Sequence, residues 1–215
     1  MKSAIRFLIF IVATLFFVSF AVAQIPQFSP FSADLQMTST NPGSNMPQDV
    51  TGKIFVGNDH MRINLESGGH GTAIITNFAS KTVDVLMVEP KMYIEHQAGA
   101  MARRGFGNPT DDLKPFDPAN PCANQPDITC KKIGVETISG RTCDHWEITD
   151  KHGKVTNAWV DEKLHFPIKV TSKDSTILLS NVKEGEPAAN LFQIPSDYHK
   201  MDMNGMIPQG VGRPQ

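Results

Sequence analysis

The sequence predicts a mainly β protein: a strongly curved antiparallel sheet forming an unclosed half-barrel of about 11 strands, with a short helical or irregular lid. Three observations predict it. Apolar residues recur with period two in segment after segment. The breakers between segments are only a few residues long. One proline-rich stretch interrupts the rhythm, where a lid would be inserted.

The alternation is read directly. Met61, Ile63 and Leu65 alternate with Arg62, Asn64 and Glu66; Val83, Val85 and Met87 alternate with Thr82 and Asp84; Phe166, Ile168 and Val170 alternate with Pro167, Lys169 and Thr171. Such a pattern turns one face of a strand to a core and the other to water. Strands are expected near 32–40, 50–57, 60–67, 71–78, 81–88, 91–96, 130–138, 141–149, 154–161, 166–173 and 175–183. Breakers such as Gly57-Asn58-Asp59, Ser67-Gly68-Gly69, Ser139-Gly140 and Lys173-Asp174-Ser175 allow hairpins, not the helical crossovers of a parallel sheet. A meander is therefore expected, and so many short strands in one domain should curl.

Residues 97–129 lack the alternation and hold Pro109, Pro115, Pro118, Pro121 and Pro126. A short helix over Glu95 to Arg104, stopped by Gly105, is expected within a lid or loop insertion.

The N-terminus reads as a cleavable leader. Lys2 and Arg6 precede an apolar run from Phe7 to Phe20, and Ala21-Val22-Ala23 offers a cleavage site. The run is short for a membrane span, which needs about 20 apolar residues. The expected organisation is a signal peptide over 1–23, a β domain over 24–201 and a flexible tail over 202–215, in a periplasmic or secreted protein. No cysteine lies near the cleavage point to carry an N-terminal lipid anchor. Loss of Lys2 and Arg6 takes the net charge from −2 to −4, which argues against nucleic acid and against a polybasic hold on an anionic membrane.

Export permits disulfides. Cys122 and Cys130 bracket a turn-rich loop and are the expected pair, with Cys143 free inside a strand. Pairing of Cys130 with Cys143 is the alternative. It is disfavoured if Ser139-Gly140 is the turn, for then Ile138 faces Arg141, Glu136 faces Cys143, Ile133 faces Trp146 and Cys130 lies opposite Thr149.

Catalytic signatures are not found: no nucleophile elbow, zinc helix, paired-cysteine motif or calcium loop. The seven histidines are scattered one per segment, and Asp111, Asp112 and Asp117 read as surface carboxylates. No cofactor is expected. The tail holds Met201, Met203 and Met206, whose thioethers suit Cu(I), although no rigid frame holds them.

An ordered series of motifs resembles a known family. It runs through Phe31-Ser32-Ala33-Asp34-Leu35, Gly52-Lys53-Ile54-Phe55-Val56, His60-Met61-Arg62-Ile63, Ser80-Lys81-Thr82-Val83 and Met87-Val88-Glu89-Pro90, and closes on Asn190-Leu191-Phe192-Gln193-Ile194-Pro195 and Tyr198. Over about residues 31–201 this is similar to the LolA-like superfamily of periplasmic lipoprotein carriers and lipid-binding proteins, in its little-characterised exported branch. The Gly134–Trp146 hairpin, Trp159-Val160 and Phe166-Pro167-Ile168-Lys169 resemble that branch more closely. The resemblance implies an unclosed barrel with helices over its concave side and an acyl chain held between sheet and lid. Arg62 matches an arginine that, in the carriers, hydrogen-bonds the lid closed. The helix that precedes the carriers' first strand has no counterpart in Gln24–Pro30.

The expected function is an exported, non-enzymatic binding protein for a lipid, a lipoprotein acyl chain or another apolar ligand. The alternatives are a structural or assembly protein of the envelope, which would engage envelope proteins, and Cu(I) binding by the tail. The candidate ligand-binding residues are Ile54, Val56, Met61, Ile63, Leu65, Val83, Val85 and Met87, which strand register places on one face, together with Arg62.

Overall fold

A computed structural model describes residues 28–39, 49–97, 122 and 127–201. The chain forms β1 (Phe31–Ser39), β2 (Asp49–Val56), β3 (His60–Ser67), β4 (His70–Asn77), β5 (Thr82–Met87), β6 (Met92–Gln97), β7 (Ile128–Ile138), β8 (Arg141–Asp150), β9 (Val155–Asp161), β10 (Phe166–Thr171), β11 (Ser175–Glu184), a 3-10 turn (Ala189–Phe192) and the short β12 (His199–Lys200). The expected signal peptide over 1–23, most of the expected insertion over 97–129 and the expected tail over 202–215 lie outside the described residues. Glu95 and His96, expected to start a helix, belong to β6.

All twelve strands form one sheet in the order β12-β6-β5-β4-β3-β2-β1-β11-β10-β9-β8-β7. Every pairing is antiparallel except β12 on β6. The expected single meander is thus two meanders joined where β1 pairs with β11. Alternation fixes hairpins between successive strands and says nothing about where the first strand finds its second neighbour.

The strongly curved half-barrel is corrected. The sheet is one mostly antiparallel layer without strong curl, and it is unclosed as expected: β12 and β7 end the order and, among the described residues, no ladder joins them. Among the described residues the helical content is one 3-10 turn, and none of these residues forms a helical layer over the sheet. Strand twist, shared over eleven junctions, accommodates a wide open sheet without closure.

The main core gathers around β1 and its neighbours. Phe31, Leu35, Ile54, Val56, Ile168 and Leu179 are buried there with Leu164, Cys143 and Trp159. Phe28, just before β1, packs edge-on against Phe166 at 5.0 Å and against Phe78 at 6.4 Å, tying β10 to the end of β4. Gly52 is required by close approach, because a Cβ there would run into the Asn64 carbonyl of β3.

Asp161 anchors the β8–β10 region. Its carboxylate is 2 % exposed. It accepts from Arg141 Nε at 2.5 Å and from the backbone N–H groups of Leu164 and Lys163 at 2.7 and 2.9 Å. Burial works against its charge, but Arg141 and the two N–H groups outweigh it and hold the carboxyl below the usual range.

The Cys122–Cys130 disulfide is formed, with Cα atoms 5.7 Å apart, and Cys143 is free and buried. Ser139 and Gly140 take positive φ values of 48° and 77°, the two-residue turn that the hairpin needs. Ile138 faces Arg141 and Glu136 faces Cys143, as expected, but a bulge between Lys132 and Gly134 shifts the rest. Trp146 therefore faces Lys132 rather than Ile133, and Cys130 faces Ile148 rather than Thr149. The extra residue, Ile133, leaves no mark in the alternation.

Candidate functional site: one apolar sheet face and its strapped reverse

Directly paired residues of an antiparallel sheet point to the same side, so register defines each face. Ile54 pairs with Ile63, Ile63 with Ile74, Ile74 with Val85 and Val85 with Ile94. This branched apolar ladder crosses five strands. On one flank Leu65, Thr72, Met87 and Met92 form a second row; on the other Val56, Met61, Thr76, Val83 and His96 form a third. Ile54, Val56, Met61, Ile63, Leu65, Val83, Val85 and Met87 share this face, as their register requires.

Toward β1 the face merges with the main core, where Ile54 and Val56 are buried. Toward β6 it is less covered: Ile63, Leu65, Ile74, Val85, Met87, Met92 and Ile94 are half-buried. Ile74, Met92 and Ile94 were not among the expected residues. They belong to the same three rows, and the signal that could have found them was hairpin register, not the strength of the local alternation.

Arg62 points to the opposite face. It pairs with Phe55 and Ile75 and shares its side with Asn64, Ala73 and Leu86. A strap formed by residues 186–201 crosses this side. Ile194 and Tyr198 pack on the buried trio Ala73, Ile75 and Leu86. Arg62 Nη1 donates to the Leu191 carbonyl at 2.8 Å and Nε donates to Asn64 Oδ1 at 2.7 Å. Burial lowers the Arg62 pKa from its ordinary value. Salt bridges Lys91–Asp197 at 2.7 Å and Lys200–Glu95 at 3.0 Å pin the strap further, and His199 N–H and Met201 N–H donate to the carbonyls of Lys91 and Tyr93. Arg62 thus holds a chain segment against the sheet, on the reverse of the apolar ladder. A residue alternating with Ile63 has no other side to face.

Other polar features lie elsewhere. A cleft of about 470 Å³ opens at the β3–β4 hairpin, lined by Thr51, Glu66, Gly69, His70 and Glu89 among others. Glu89 there accepts the Gly71 N–H at 2.7 Å. On β7–β9, Glu136 accepts from Trp159 Nε1 at 3.0 Å and pairs with His145 Nδ1 at 2.7 Å, while His145 stacks on Trp159 at 4.3 Å. Among the described residues no group of three or more His, Cys, Asp or Glu side chains is placed to hold a metal ion. The methionines beyond Met201 fall outside the described residues. Among the described residues no helix is long and apolar enough to cross a membrane.

A family model described as "Domain of unknown function (DUF4412)" matches residues 31–165, from β1 through the turn after β9. The chain belongs to the DUF4412 family. A search of the curated proteins returns no match for this DUF4412 protein. Among solved structures it is similar to an uncharacterized conserved protein from Thermus thermophilus, with a TM-score of 0.53 at 9% identity, covering 80% of this chain and 90% of that one. It is also similar to MucB, with a TM-score of 0.53 at 13% identity, covering 81% of this chain and 60% of MucB. The DUF4412 chain therefore spans less than two thirds of MucB. A more distant match, at a TM-score of 0.40 and 10% identity, is the lipoprotein LppX of Mycobacterium tuberculosis, with 75% of this chain and 88% of that one covered. Identities this low speak to fold alone.

Proposed function

We propose that this DUF4412 protein is an exported periplasmic binding protein that holds a lipid, a lipoprotein acyl chain or another apolar ligand against the β2–β6 face. The observation that carries the reading is the five-strand ladder Ile54–Ile63–Ile74–Val85–Ile94, half-buried toward β6. A single-layer sheet must bury its apolar face against something. Each ligand CH₂ buried there would contribute about 0.8 kcal/mol, so micromolar retention, about 8 kcal/mol, on top of an association cost of about 4 kcal/mol calls for roughly fifteen buried methylenes, the length of a fatty acyl chain. The leader over 1–23 and the Cys122–Cys130 disulfide support an oxidising compartment. Residues 97–129, which connect the two ends of the sheet, serve as the cover in this reading. Arg62 contributes by holding the strap on the reverse side rather than by touching the ligand.

The test is retention of a fluorescent fatty acid by the purified protein. Met87→Glu, in the second row, and Ile94→Glu, on the ladder, place a charge at half-buried positions of the apolar face. Both should cut retention at least tenfold with an unchanged circular dichroism spectrum. Undiminished retention in both would remove the apolar face as the binding site.

A second reading is a role in envelope assembly through protein contacts. It is favoured by the likeness to MucB, which is also solved in complex with MucA(peri). In that case purified protein would carry no lipid and bind no fatty acid, yet would capture an envelope protein.

A further inference from the structure

The two edges of the sheet are treated differently by the chain. At one edge β6 is covered by its own strap, with β12 adding a short parallel strand and Lys200 pairing Glu95. At the other, β7 is the longest strand, and among the described residues it pairs with β8 alone. Four large apolar side chains stand out from the described surface, and two of them, Val135 at 57% exposure and Ile133 at 46%, lie on this edge. Lys131, Lys132, Glu136 and Thr137 beside them are exposed as well.

The hairpin tells which backbone groups face outward. In a two-residue hairpin the pair closing the turn exchanges both hydrogen bonds, and bonded residues then alternate along the strand. Ile138, Glu136 and Gly134 are thereby directed at β8, leaving the N–H and C=O of Val135 and Thr137 on the open side. Beyond the bulge the alternation resets, and Lys132 takes the outward position. Unpaired backbone groups along an exposed strand form a template for another strand.

We propose that β7 is a docking edge for β7 of a second copy of this chain, paired antiparallel about a two-fold axis beside Gly134. In the register that sets Val135 opposite Lys132 of the other copy, the outward-facing residues of both strands meet. The same register sets Lys131 opposite Glu136 of the other copy, twice by symmetry. Lys131 pairs with Glu147 and Glu136 with Cys143 within the sheet, which places Lys131 and Glu136 on one side. Charge complementarity therefore selects the occupant: Lys132 already pairs with Asp144 of its own chain at 2.7 Å, and Lys131 is answered by Glu136 of an identical strand, twice by symmetry. The shared sheet would run continuously through both copies. One strand pair falls at the small end of specific interfaces, so the dimer forms with rising concentration rather than being permanent.

Sedimentation velocity of the purified, exported protein over a concentration series tests this. The weight-average mass should climb toward twice the monomer value. Lys131→Glu, which sets two glutamates opposite each other, should hold the protein monomeric, and so should Val135→Lys. Both substitutions are at exposed positions, and circular dichroism would report an unchanged fold. Val155→Lys, also exposed but away from β7, should dimerise like the parent. A protein that stays monomeric throughout overturns the proposal. So does a dimer that persists in both β7 variants, or one that is lost only in Val155→Lys.

Discussion

Asp161 offers the sharpest test of how the strands hold together. Asp161→Asn keeps the side-chain shape and one acceptor oxygen for the Leu164 and Lys163 N–H groups, but removes the charge that Arg141 meets at 2.5 Å. Arg141 retains Glu184 at 3.0 Å, so its guanidinium is not left without a carboxylate. Breaking a buried pair outright costs about 3–5 kcal/mol, and a hydrogen bond to a charged group contributes about 1.5–3 kcal/mol. With Glu184 still in place, about 2–3 kcal/mol is expected. For a chain of this size that lowers Tm by roughly 5–10 °C. The charge adds a pH signature. A carboxyl whose folded pKa lies below its unfolded value contributes stability above the unfolded value, about 3.9 for Asp, and loses it as pH falls through the folded value. The gap between parent and variant should therefore be full at pH 7 and shrink progressively below about pH 4. Thermal unfolding followed by circular dichroism at a series of pH values reads both quantities. A loss below about 1 kcal/mol, or a gap that stays constant into acid, would refute the assignment of Asp161 as a charged anchor.

Three further outcomes are expected. Arg62→Leu removes the bonds to Leu191 and Asn64, costs about 1.5–3 kcal/mol, and should raise amide exchange selectively over residues 186–201; uniform or absent change would mean that the strap is held without it. Replacing both Cys122 and Cys130 by serine should destabilise the protein by about 2–3 kcal/mol, because the bridge closes a loop of sequence separation 8; a reducing agent should reproduce the loss in the parent and do nothing to the variant. Burial, with Asp161 nearby, pushes the Cys143 thiol up to about 11. A thiolate-directed reagent at about pH 8 should leave Cys143 unmodified until the protein is denatured, and rapid labelling of native protein would contradict its place in the core.

The hairpins were legible in the sequence because alternation and short breakers determine them locally. The strand containing Met61, Ile63 and Leu65 lies at His60–Ser67 as expected, and the eight apolar candidates do share a face. What local pattern does not encode is pairing at a distance. Nothing in Phe31–Ser39 announces Ser175–Glu184 as its second neighbour, nor does anything in β10 reveal that Phe166 meets Phe28 and Phe31. Bulges escape for a related reason: Ile133 and the positive-φ Asn181 are each one residue out of step, which alternation absorbs without trace. The strap was half-visible. Leu191, Ile194 and Tyr198 stood out as a motif, yet only the structure places them over Arg62, Ala73 and Leu86. That placement also answers why an arginine alternating with Ile63 is useful: its side of β3 is covered by a different part of the chain.

Whether the β2–β6 face holds an apolar ligand is tested most directly by native mass spectrometry of the protein recovered from its native host, without detergent. The parent should carry a lipid or fatty acid adduct, and Ile94→Glu prepared in parallel should appear as the bare chain. A parent protein that is bare, or an adduct equally abundant in Ile94→Glu, would contradict the proposed role of this face.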